Sequence, residues 1–193
     1  MDEFNPIGDV GRTLRALLLD GMGTWSVSDD QIALTSPQQF DPDDVGLSLH
    51  LYHLQESAHH ADGQPPATYR DDDPLVLELF YLLTAHPANG DTIETSDTLE
   101  QHRMLSKAAQ TLRRHAIVKG PDMQGSLTGG EPLHITINTD ATDHVMDVWS
   151  SFPDTPYLPS ISYSVNPVVI ETEEAAPSPR VTTATMELGD AGE

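Results

Sequence analysis

The run Pro74 to Ala85, PLVLELFYLLTA, constrains the fold more than any other stretch of the chain. Its odd positions Leu75, Leu77, Leu79, Tyr81 and Leu83 are apolar. Val76, Phe80 and Leu82 make the even side apolar too, with Glu78 the single charge. A strand with one solvated side alternates apolar and polar residues, whereas one that is apolar on both sides belongs in the middle of a sheet covered on both faces.

The other elements follow from periodicity and punctuation. Asn5 is a good N-cap and Pro6 suits the first helical position, so Asn5 to Leu19 reads as a helix with Ile7, Val10, Leu14, Leu17 and Leu18 on one face. Gly21 and Gly23 are expected to end it. Short strands are expected at Thr24–Val27 and Gln31–Thr35, and a clearer one at Leu47–Leu54. A second helix is expected to begin near Asp97, with Glu100 completing a capping box and Leu99, Leu105, Ala108, Ala109, Leu112 and Ala116 as its inner stripe. Leu133, Ile135 and Ile137 alternate as a strand, and Val145, Val148, Trp149 and Phe152 mark a short helix. Ser160–Ile170 is the last strand, and Pro167 predicts an edge or a bulge there. The fold class is thus mixed α/β (α+β): one domain over residues 1–170, with a central, mostly buried sheet flanked by three helices. An acidic tail, 171–193, follows.

Asp and Glu number 31 against 9 Lys and Arg, a formal net charge of -22. Nucleic acid and anionic membrane are poor partners for such a surface. The acids are spread along the whole chain, as expected of a halophilic protein kept soluble in concentrated salt; a nucleic-acid mimic would gather them on one face. The chain has no cysteine, which excludes disulfides, thiol nucleophiles and thiolate metal sites. No apolar stretch approaches the roughly 20 residues that span a bilayer. The acidic N-terminus does not resemble a signal peptide, so the protein is expected to be soluble and cytoplasmic when made.

Catalytic chemistry finds little support. His50 and His53 lie three apart on an expected strand, which directs them to opposite faces and prevents a shared metal. His59 and His60 with Asp62 form the best metal cluster but sit on no rigid element. There is no nucleophile elbow and no phosphate loop, and the row Ser160, Ser162, Ser164 reads as the solvent or interface side of a strand. No cofactor or metal is expected. Trp149 and Tyr157 are either core aromatics or interface anchors. Arg113 and Arg114 are either partners of a helix dipole or contacts to a neighbouring acidic subunit.

The order of segments carries further meaning. TLRALLLDG, LSLHLYHLQES, PLVLELFYLLTAH, LSKAAQTLRRHAIV, LHITI, HVMDVWSSF and YLPSISYSVNPVVI succeed one another in a way that resembles the tail-terminator (cap) proteins of phage-like contractile injection systems. That family's pattern is matched by Leu51, Tyr52 and Glu56, by Tyr81, Leu82, Thr84 and Ala85, by Trp149, and by Pro159, Ser160 and Tyr163. The resemblance covers Ile7 to Ile170; the loop Ser57–Asp73 and the tail after Glu171 depart from it.

The resemblance implies a structural, non-enzymatic role: a homohexameric ring on the last layer of inner tube and sheath, fixing tail length. Such a protein is cytoplasmic during assembly and leaves the cell within an extracellular particle. In that setting the tail segment VTTATME, with Val181 and Met186, is suited to add as a strand to a neighbour's sheet edge. The alternatives are another structural or adaptor component of the same machine, such as a baseplate or assembly factor, and an acidic inhibitor of a basic partner.

Overall fold

The Asn5 side chain accepts a hydrogen bond from the Gly8 N–H at 3.0 Å, and Pro6 opens the first helix, α1 (Pro6–Gly21). The computed structural model describes residues 4–23, 27–43, 45–57, 74–88, 94–138 and 141–171. Within α1 the expected stripe is buried at Val10, Leu14, Leu17 and Leu18. α1 ends at Gly21, its last helical residue, as expected. Gly21 is a glycine because a Cβ there would run into the Thr111 side chain, so α1 and the second helix, α2 (Thr95–Arg114), approach closely.

Six strands form one sheet: β1 (Ile32–Ala33), β2 (Gly46–Glu56), β3 (Leu75–His86), β4 (Ile117–Val118), β5 (Leu133–Ile137) and β6 (Ser160–Ile170). Their order is β1-β2-β3-β6-β5-β4, with every pair antiparallel except β1–β2. β3 lies in the middle, hydrogen-bonded to β2 and β6. Its odd positions Leu77, Leu79, Tyr81, Leu83 and Ala85 join the main core beneath α1 and α2. On the other face Leu82 packs with Trp149 of the third helix, α3 (Ala141–Ser150), and with Phe152 just beyond it. One domain with helices on both sheet faces is the architecture the pattern predicts.

Several expectations need correction. The Thr24–Val27 strand falls largely outside the described residues, and Val27 itself is in no strand. The Gln31–Thr35 strand contracts to β1, because Asp29–Gln31 form a 3-10 turn in which Gln31 accepts from the Ser28 N–H. α2 starts earlier than expected, with Asp97 as its third residue accepting from the Glu94 N–H at 2.9 Å. Its buried face is Gln101, Met104, Ala108, Thr111 and Leu112, while Leu99 is 57% exposed.

Two bulges reset the strand faces. Leu77 pairs with Val168 and Leu79 with Val165, so β6 spends Asn166 and Pro167 where β3 spends Glu78. Pro167 therefore sits at a bulge of an interior strand, not at an edge. Glu78, the lone charge of β3, accepts there from Asn166 Nδ2 at 3.1 Å and Gln55 Nε2 at 3.2 Å. In β2, Leu51 pairs with Tyr81 and His53 with Phe80, which inserts Tyr52 as an extra residue. His50 and His53 then share one face, contrary to plain alternation, since their cross-strand partners Leu82 and Phe80 do.

Candidate interaction surface

The face of the sheet beneath α3 is rich in hydroxyls and imidazoles. Tyr52 and Ser162 hydroxyls lie 2.8 Å apart, and those of Thr84 and Ser160 lie 2.9 Å apart. The serine row is no solvent face, since Ser162 and Ser164 are buried. Ser48 Oγ and His86 Nε2 are 2.8 Å apart, and the Phe40 ring meets the imidazole edge-on at 5.0 Å. Burial pushes the His86 pKa down to about 4 and also lowers that of His50, whose ring contacts Phe152. The Ser48–His86 pair has the partners of a nucleophile and its base. Ser48 is fully buried, however, so the pair is a sealed hydrogen bond and not a nucleophile open to substrate. His59, His60 and Asp62 lie outside the described residues; among the described residues no group of three or more His, Asp or Glu is placed to hold a metal, and no helix is long and apolar enough to cross a membrane.

On the opposite face Tyr81 and Tyr163 pair across β3 and β6. Burial raises both phenol pKa values, that of Tyr163 to about 12.

The family described as the Pvc16 N-terminal domain matches residues 9–184. The chain belongs to this family. No curated protein matches it. Two solved structures share the fold. One is the sheath/tube terminator, in its extended state, of the extracellular contractile injection system PVC. It aligns with TM-score 0.56 and 16% identity over 97% of this chain and 65% of its own. The other is the tube terminating cap of the anti-feeding prophage, with TM-score 0.58 and 14% identity over 94% of this chain and 61% of its own. The chain thus spans less than two thirds of either structure.

In this member of the Pvc16 N-terminal domain family, the residues singled out from sequence fall into separate groups. Arg113 and Arg114 are exposed in the last turn of α2, with two residues between Arg114 and β4. Trp149 is buried against Leu82 and Phe152, with its ring centroid 5.7 Å from that of Phe152. Tyr157 is 53% exposed and lies against Trp149 at 5.4 Å. The two aromatics therefore meet, one as core and one as surface, on the sheet face opposite the arginines. Val181 and Met186 lie outside the described residues.

One signal was overlooked in the sequence. From Gln101 to Lys119 there is no Asp or Glu, although the chain holds 31. The same stretch carries Arg103, Lys107, Arg113, Arg114 and Lys119, more than half of the 9 cations.

Proposed function

We propose that this chain is the tail terminator of a contractile injection system. It forms a homohexameric ring on the distal end of inner tube and sheath and fixes their length, without catalysis. The observation that carries this reading is a fold shared, over nearly the whole chain, with a sheath/tube terminator and a tube terminating cap. The burial of Ser48 supports a structural role, and the large excess of acid over base fits a salt-rich cell. Tube and sheath proteins are its partners. It is assembled in the cytoplasm and released with the particle. The tail beyond Glu171 contributes to assembly by strand addition, through the segment containing Val181 and Met186.

The test is the mass of the purified protein in molar KCl by light scattering, with electron microscopy of the same sample mixed with uncapped tails. Rings of about six subunits seated on blunt tail ends are expected. Monomers that also fail to join tails made by the native host overturn the reading. Deleting Glu171 to Glu193 is expected to weaken assembly while leaving the unfolding transition unchanged.

A further inference from the structure

The two edges of the sheet carry opposite charge. At one edge β4 is preceded by Arg113 and Arg114 and followed by Lys119, all exposed, against one exposed acid, Asp122, in the turn that follows. At the other edge, β1 follows a turn bearing Asp29 and Asp30, and Asp43 lies in the connection from β1 to β2; these three are exposed, and Arg15 already pairs with Asp29, which leaves Asp30 and Asp43 as the acids of this edge. An apolar side chain is exposed beside each group of charges. Ile117 in β4 is 57% exposed, and Leu34, directly after β1, is 44% exposed.

Among the described residues no acid is paired with the basic edge. Arg12 pairs with Asp9 and Arg15 with Asp29, but among the described residues no ion pair engages Arg113, Arg114 or Lys119. The dipole of α2 favours cations in its last turn by about 0.3–1 kcal/mol each. That accounts for Arg113 and Arg114, but not for Lys119 beyond β4 or for the missing acids of the whole stretch.

We infer that the β4 edge of one protomer docks on the β1 edge of a second copy of this chain. Charge decides the polarity of the contact. A two-fold pairing would set β4 edge on β4 edge, or β1 edge on β1 edge, and bring like charges together. Head-to-tail pairing brings the arginines to Asp30 and Asp43. A closed ring requires this kind of contact, with two different patches on each protomer. The two-residue edge strands are too short to template sheet growth on their own, so charge and the flanking side chains set the fit. Closure into a ring rests on the terminator reading, whereas the edge-to-edge contact does not.

The test uses three full-length variants: Arg113→Glu with Arg114→Glu, Asp30→Lys with Asp43→Lys, and all four together. Every site is exposed, and circular dichroism with thermal melting checks each fold. Sedimentation in KCl is expected to show self-association weakened about ten-fold or more in each two-site variant. Mixing those two variants restores association, because the reversed β4 edge of one meets the reversed β1 edge of the other. The four-site variant assembles alone. If the native protein is monomeric in solution, the same pattern is read as capping of tail ends. Two-site variants that assemble like the native protein, or a mixture that assembles no better than its components, overturn the inference. Native protein that caps tails alongside equally competent variants sinks the edge contact and leaves the terminator reading intact. Native protein that associates with the expected charge pattern yet never joins tails does the reverse.

Discussion

Ser126 donates to Asp9 twice, from its backbone N–H at 2.8 Å and its hydroxyl at 2.6 Å, across 117 positions of sequence. Asp9 is buried on α1, and its other carboxylate oxygen meets Arg12 Nη2 at 2.9 Å. The contact fixes the loop after β4 onto α1. Gly125 beside it has φ +56 and no room for a Cβ against the Asp9 carboxylate. Asp9→Ala is expected to cost about 2–4 kcal/mol, because two donors and a guanidinium lose their acceptor. Gly125→Ala is expected to cost about 1–3 kcal/mol. The double variant should lose less than the sum, since removing the carboxylate relieves the clash. Denaturant midpoints in molar KCl measure all three, and strict additivity would show that the two residues do not meet.

His86 makes stability depend on pH in a predictable direction. Its folded pKa is about 4 against an ordinary 6.5, because burial disfavours the charged ring. The unfolded chain binds the proton first. The contribution of neutral His86 is therefore complete above pH 6.5 and is lost as pH falls toward 4. The loss amounts to about 3 kcal/mol over that window. The carboxylates titrate over part of the same range, so the comparison is with His86→Gln, which keeps a polar group near Ser48 without a titrating one. Native protein is expected to lose more stability than the variant between pH 7 and pH 5; parallel profiles refute the assignment.

Tyr163 presents a different kind of buried polar group. It is 2% exposed, and its hydroxyl has no hydrogen-bond partner among the described residues. Removing an unpaired hydroxyl from a core removes a desolvation cost, so Tyr163→Phe is expected to be neutral or to stabilise by up to about 1 kcal/mol. Tyr52→Phe breaks the 2.8 Å contact with Ser162 and is expected to destabilise by about 1 kcal/mol. Chemical unfolding of the pair distinguishes them by sign.

The elements legible in the sequence are those whose local chemistry agrees with their tertiary place. β3 announced itself by apolar residues on both sides, and α1 by Asn5 and Pro6. The face of α2 was misread because Gln101 is buried for a polar reason: its side-chain amide donates to the Ala85 carbonyl at 2.7 Å, at the end of β3. Leu99 was drawn into the stripe by hydrophobicity alone and points to solvent. No local pattern marks Tyr52 as an extra residue, because a bulge depends on the register of the partner strand. That one insertion puts His50 and His53 on the same face. The charge asymmetry of the edges was in the sequence as an acid-free run. It acquired a meaning only when the strand order placed β4 and β1 at opposite ends of the sheet.

Trp149 and Tyr157 separate stability from assembly. Trp149 fills the smaller core between α3 and the sheet, with Leu82 and Phe152, and its truncation leaves a cavity. Trp149→Ala is therefore expected to destabilise by about 3–5 kcal/mol. Tyr157 is half exposed and lies against the Trp149 ring, so Tyr157→Ala is expected to cost about 1 kcal/mol or less. An exposed tyrosine resting on a buried tryptophan is a suitable interface anchor, rigid on one side and open on the other. If it serves one, Tyr157→Ala lowers capping of tail ends while the melting temperature stays near that of the native protein. Trp149→Ala lowers both. Capping by Tyr157→Ala at the native level removes this face of α3 from the assembly surface and leaves the sheet edges to carry it.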